Sequence, residues 1–324
     1  TEGVAALSTD LDALLRLAAA RGASDVHLKV PSAPLVRVDG RLERVDGFAR
    51  LAPVDTEAAL AHMLAAMPHS AKHQEFDRRG EVDFAYAHPG LGRFRVNAFR
   101  QRGSVSVVLR LVRFGVPTIE DLGLPPELAD LAGAGDGLVL VCGPAGSGVT
   151  STLAALVDRI NDGPPRSVIT VEDPIEILHS DRECAINQRE VGLDTGSFGE
   201  ALARVLRHDP DVVMVGELAD AETVQIALNA ADHGVLVLAA MPTGDARETV
   251  ERLVSVFPLH RQGQARTVLA SCLRAIVCQR LVPREDGPGR QPVVEVLRGG
   301  PQARRAILNP EDAALLAELA TVAA

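Results

Sequence analysis

The sequence predicts an α/β chain in two parts, and three observations carry that prediction. Early segments such as "PLVRVDGRLERV" and "FRVNAFRQRGSVSVVLRLV" alternate apolar and polar side chains, as half-buried strands do. Later, strand-like and helix-like stretches alternate with each other, which implies βαβ units and a parallel sheet. Between them, "VLVCGPAGSGVTSTLAALV" (Val139–Val157) couples a β-branched strand to a glycine-rich turn and an apolar-periodic helix. The expectation is an α+β first domain, then a parallel-sheet domain with a ligand crevice at the carboxyl ends of its strands.

In order along the chain, Asp39-Gly40 is expected to turn between two early strands. "RLVRFGVPTIEDLGLPPEL" (Arg110–Leu128), with three prolines and two glycines, marks a boundary. We therefore divide the chain into a first domain over 1–112, a linker over 113–122 and a second domain over 123–324 with a helical C-terminal region. Strands are expected at Leu138–Cys142, Val168–Val171, Val212–Val215 and Val235–Ala240, and helices near Thr150–Asn161, Phe198–Arg207 and Glu222–Ala231. In the first helix Leu153, Leu156, Val157 and Ile160 fall on one face. "LASCLRAIVCQRLV" (Leu269–Val282) has roughly helical spacing and reads as core, with a subunit contact as the alternative.

Composition narrows the function classes. A hydrophobic content of 47% supports real cores, and no apolar run approaches the roughly 18 residues of a membrane span. Nothing at the start of the sequence argues for export. Cys142, Cys184, Cys272 and Cys278 form no CxxC pair, so they read as buried apolar residues in a reducing cytoplasm. A net charge of −10, no tryptophan and one tyrosine argue against a nucleic-acid translocase, despite the arginines of Arg93–Arg102. All but two of the 33 basic residues are arginines, and Lys29 and Lys72 both precede the second domain.

Gly143, Gly146 and Gly148 fit a phosphate-binding loop in which Val149 stands where a lysine belongs and Thr150 at the hydroxyl position. The glycines let successive backbone N–H groups point inward at a helix N-terminus, with Ser147 and Ser151 beside them. Thr150 would ligate Mg²⁺. Valine cannot reach phosphates or neutralise them, and a lost charge-assisted hydrogen bond, about 1.5–3 kcal/mol, is roughly a 10- to 150-fold loss of affinity. Transition-state stabilisation should suffer more, because charge migrates as the terminal bond breaks.

Further stretches turn a generic loop into a family. "SVITVEDPIEILH", "INQREVGLDTGSF" and "DPDVVMVGELAD" follow in order, with "ASDVHL", "RFRVNAFRQRG" and "SCLRAIVCQRLVPREDGPGRQPVVEVL" on either side. From about residue 8 to about 310 the chain resembles the PilT family of type IV pilus retraction ATPases, within the secretion ATPase superfamily. The resemblance implies a PAS-like N-terminal domain followed by a RecA-like domain, ATP or ADP with Mg²⁺ between them, and turnover that moves one domain against the other. It implies a cytoplasmic homohexamer, or a mixed hexamer with an active paralogue, docked on an inner-membrane pilus platform protein with peripheral membrane contact only. Carried over by residue, Glu172 and Asp173 would position water and metal, and Glu217 would be the catalytic carboxylate. Arg93 and Arg95, with Arg100 and Arg102, match arginines that reach toward the phosphates.

The departures concentrate on phosphate chemistry. Val235 and Pro242 stand where the family has histidines, and Ala219 where it has an arginine after Glu217. "ARRAILN" (Ala303–Asn309) only loosely echoes the family's C-terminal retraction motif. The expected function is a PilT-like subunit with weakened or lost hydrolysis; the alternative is a slow retraction ATPase that uses arginines in place of the lysine.

Overall fold

The computed structural model describes residues 2–38, 40–66, 71–284 and 289–323. The turn expected at Asp39-Gly40 and part of "REDGPG" therefore lie outside the described residues. The chain divides into two compact units, Thr1–Phe114 and Gly115–Ala324.

The first unit orders its elements as α1 (Glu2–Ala20), β1 (Asp25–Leu28), β2 (Leu35–Val38), β3 (Arg41–Arg44), α2 (Pro53–Ala65), α3 (Ala71–Arg79), β4 (Glu81–His88), β5 (Gly92–Gln101), β6 (Ser104–Leu111) and β7 (Arg113–Phe114). Six strands make one antiparallel sheet in the order β3-β2-β1-β6-β5-β4. Alternation along β5 buries Phe94, Val96 and Ala98 against α1 and α2 residues such as Leu15 and Met63. Within "ASDVHL", Asp25 is buried and accepts from Ser24 Oγ and Arg110 Nε, both at 2.8 Å, so its role is to tie β1 to β6.

The second unit contains α4 (Ala129–Ala132), β8 (Gly137–Cys142), α5 (Val149–Asn161), β9 (Ser167–Glu172), β10 (Ile177–Leu178), β11 (Ala185–Glu190), α6 (Phe198–Val205), β12 (Val212–Val215), α7 (Ala221–Asp232) and β13 (Leu236–Met241). It continues through α8 (Ala246–Ser255), α9 (Leu259–Cys272), β14 (Leu273–Pro283), β15 (Arg290–Arg298), α10 (Pro301–Leu308), α11 (Leu315–Leu319) and β16 (Thr321–Ala323). Its sheet runs β11-β9-β12-β13-β8-β14-β15-β16; the first six strands are parallel, and β15 and β16 each pair antiparallel with the strand before. Along β8 Leu138, Leu140 and Cys142 feed one core while Val139 and Val141 feed the other, so the strand is buried on both faces. Helix α5 covers one face through Leu153, Leu156, Val157 and Ile160, and α6 to α10 cover the other. No helix among the described residues is long and apolar enough to cross a membrane.

One expectation changes. The segment Leu269–Val282 is not one helix: α9 stops at Cys272 and Leu273 begins β14, with β8 on one side and β15 on the other. A central parallel strand buried on both faces is almost continuously apolar, and a run such as Ala275–Cys278 carries no period-2 signal to separate it from helix. All four cysteines are buried and free. Cys142 and Cys278 stand in register across β8 and β14.

Candidate nucleotide site at the sheet's carboxyl edge

Strand register brings most of the marked positions of this unit to one edge. Leu140, Ala239, Val215 and Val171 form one row across β8, β13, β12 and β9. Two residues further along each chain come Cys142, Met241, Glu217 and Asp173, just where the strands end. With neighbouring strands about 4.8 Å apart, Glu217 starts about 10 Å and Asp173 about 14 Å across the sheet from the loop. Pro242 follows β13 at this edge, whereas Val235 precedes it. At about 3.3 Å per residue the two lie about 23 Å apart. The structure therefore brings Pro242, and not Val235, to the loop's edge. Ala219 also lies here, in the exposed turn between β12 and α7.

The loop from Gly143 to Gly148 is shaped by its glycines. Gly146 and Gly148 have φ of +80° and +90°, left-handed conformations that a side chain strains. A Cβ on Gly143 would run into Ser147 Oγ and the Gln279 carbonyl, and one on Gly148 would lie 2.8 Å from Gln279 Nε2. The Gly143 N–H donates to the Met241 carbonyl at 3.2 Å and the Ser147 N–H to the Pro144 carbonyl at 3.0 Å. Ser147 is 3% exposed, and its hydroxyl has no hydrogen-bond partner. That orphaned donor and the glycine-walled cradle fit a phosphate oxygen. Thr150 is exposed and Ser151 half-buried, both in the first turn of α5. Val149 is half-buried and packs against the core cluster that holds Leu153, Val139 and Val141. Where a lysine would carry charge, this chain has apolar packing.

Gln279, on β14, is a residue the sequence reading missed. Its Nε2 donates to the Ser147 carbonyl at 2.8 Å, and its Oε1 accepts from Thr152 Oγ1 at 2.7 Å. The signal available was an amide interrupting an apolar run, and assigning that run to a helix hid it.

The acidic side is built differently. Glu172 ends β9 at 5% exposure, with Oε1 accepting from Thr170 Oγ1 at 2.6 Å and Gln188 Nε2 at 3.0 Å. Burial pushes its carboxyl above the usual carboxylate range, opposed by those two hydrogen bonds and assisted by Glu176 and Glu190. Asp173 and Glu217 are exposed. Gly216 packs closely at this corner: a Cβ there would sit 3.3 Å from Glu172 Cα. Nearby His179 has a buried, unpartnered Nδ1, and burial lowers its pKa to about 4.

In the first unit, Arg93 and Arg95 share the face of β5 opposite Phe94 and Val96. Arg100 is on the other face, its guanidinium 5.0 Å from the Phe76 ring centroid, and Arg102 occupies a turn with φ of +51°. Of four arginines marked by sequence, the strand groups two.

Comparison with known proteins agrees with this architecture. The family described as Type II/IV secretion system protein matches residues 1–314. The type IV pilus retraction ATPase PilT of Pseudomonas aeruginosa is 38% identical over 312 residues, 96% of this chain and 89% of that protein. The type IV pilus ATPase PilU of the same organism is 39% identical over 302 residues, covering 93% and 78%. The crystal structure of a pilus retraction motor PilT with bound ADP superposes with a TM-score of 0.86 at 39% identity, covering 93% of this chain and 87% of that one. With the glycine-rich loop and acidic strand ends on one sheet edge, the chain belongs to the type II/IV secretion system protein family as a PilT-like member.

Proposed function

We propose that the chain is a PilT-like subunit of a type IV pilus motor that binds ATP or ADP through backbone donors and hydrolyses it weakly or not at all. The observation that carries this reading is Val149, whose side chain packs on the core where a lysine would face the phosphates. The remaining loop suits a nucleotide: Gly143, Gly146 and Gly148 open the backbone, and Ser147 Oγ has no protein partner. The Thr150 hydroxyl and the nucleotide's own phosphates would hold Mg²⁺, whose chemistry is to neutralise phosphate charge. Glu217 would be the catalytic carboxylate, with Glu172 and Asp173 positioning water and metal. Without the lysine, these acids face a developing charge that nothing in the loop's own sequence offsets.

In this reading the subunit assembles as a homohexamer or joins a mixed hexamer with an active paralogue, at the cytoplasmic face of an inner-membrane pilus platform. It is an accessory or regulatory component and takes no nucleic acid. Calorimetry with MgATP and MgADP, followed by phosphate release on the same sample, tests it. Binding with turnover at background is the expected result; robust turnover abolished by Glu217→Gln would overturn it.

A second reading, a slow but active retraction ATPase, is favoured by the retained Glu172, Glu217 and Thr150 and by Arg93 and Arg95 on one strand face. It requires phosphate release that Arg93→Ala or Arg95→Ala removes. Release unchanged in both variants would eliminate it.

A further inference from the structure

We propose that Gln279 is the positioning residue that holds the phosphate loop in its anion-binding shape, in the place of the lysine this chain lacks. A loop whose N–H groups converge on a ligand turns carbonyls away from it, and buried carbonyls need donors. Strand β14 lies beside β8 and supplies one. Gln279 Nε2 donates to the Ser147 carbonyl at 2.8 Å across a sequence separation of 132 residues. Because that carbonyl can only accept, the amide has one orientation, which leaves Oε1 to accept from Thr152 Oγ1 at 2.7 Å. Ser147, Thr152 and Gln279 are at most 5% exposed, so a lost partner here is not replaced by water.

The loop closes down on this residue at both ends. Gly148 leaves room for the side-chain Nε2, and Gly143 leaves room for the Gln279 backbone carbonyl. One residue before Ser147, the Gly146 carbonyl is approached at 3.5 Å by Nη1 of Arg290, the first residue of β15. Two successive carbonyls of the loop are thus addressed from the β14–β15 pair, and neither donor comes from α5. A lysine ammonium at 149 would have three donors to offer; valine has none. The Gln279 amide is neutral, so it keeps the loop shaped without restoring the lost charge. The consequence is a phosphate loop that is preformed before any ligand arrives.

The ligand part of this inference rests on the nucleotide-binding reading; the positioning part does not. The test uses the full chain with Gln279→Met, which keeps side-chain length and removes both hydrogen bonds. Leu228→Ala, a fully buried core truncation on α7, serves as the stability-matched control. Amide hydrogen exchange of Gly143 and Ser147 without nucleotide is read first, then MgADP affinity by calorimetry. Gln279→Met is expected to speed loop exchange by about tenfold over Leu228→Ala and to weaken MgADP by a similar factor. Val149→Lys in the same chain should recover most of both losses, giving a non-additive double-mutant cycle. Loop exchange equal to that of Leu228→Ala, or losses that Val149→Lys leaves unchanged, would overturn the proposal. If the native protein binds no MgADP, the nucleotide-binding reading falls, while loop exchange and its recovery by Val149→Lys still decide the role of Gln279.

Discussion

The glycine-rich loop after β8 and the acidic positions after β9 and β12 share one sheet edge, yet they differ in how they are held. The acidic side retains its carboxylates: Glu172 is buried and anchored by Thr170 and Gln188, and Asp173 and Glu217 project from adjacent strand ends. The loop retains its backbone shape and no charge of its own, with Val149 folded onto the core and its carbonyls served by Gln279 and Arg290. In the proposed reading, the difference teaches that the shape of a phosphate cradle and the charge inside it are separable. Glycines and a buried amide would preserve the first, while only a cation would supply the second.

The largest effect expected follows from returning that charge. Val149→Lys should tighten MgATP about 10- to 150-fold, the value of a charge-assisted hydrogen bond, measured by calorimetry. No gain would mean that the loop is not the weak half of the site.

Next comes a pH effect on the acidic side. His179 has a folded-state pKa of about 4, below its unfolded value of 6.5, because burial disfavours the charged ring. The unfolded chain therefore takes up a proton first as pH falls. Stability should be full above pH 6.5 and decline by roughly 3 kcal/mol on going down to about pH 4. His179→Gln should flatten that part of the profile in urea titrations at several pH values; an unchanged slope would place the acid sensitivity elsewhere. Glu172 acts in the opposite sense: its folded pKa is raised, so stability declines as pH rises from the unfolded carboxyl value through the folded one. Glu172→Gln should remove that decline.

Smaller effects separate shape from chemistry. Gly146→Ala meets no atom within 4 Å but inherits a φ of +80°, so it should cost about 1 kcal/mol in thermal unfolding through strain alone. Asp220 lies three residues from Glu217, yet its carboxylate accepts from the Thr223 N–H at 2.8 Å as the N-cap of α7. Asp220→Ala should therefore lower stability by about 1 kcal/mol and leave MgATP affinity unchanged.

What was legible in the sequence was local. A β-branched strand, spaced glycines and a periodic helix announce the loop within twenty residues, and apolar runs ending at Glu172 and Glu217 mark the acidic strand ends. Long-range features were not legible. Strand β14 hides because burial on both faces erases alternation, and with it went Gln279, whose partner Ser147 is far away in sequence. The anchors of Glu172 arrive from β9 itself and from Gln188 on β11, which only register reveals. From sequence alone, Val235 and Pro242 in place of the family's histidines read as one loss. The sheet separates Val235 from Pro242 by the length of β13.

The most direct measurement is MgATP hydrolysis by the native chain, by Val149→Lys and by Val149→Lys with Glu217→Gln, each at saturating nucleotide. The account predicts background phosphate release from the native chain, a clear gain with the lysine, and loss of that gain when Glu217 is replaced. Robust native turnover that Val149→Lys does not raise and Glu217→Gln abolishes would contradict it.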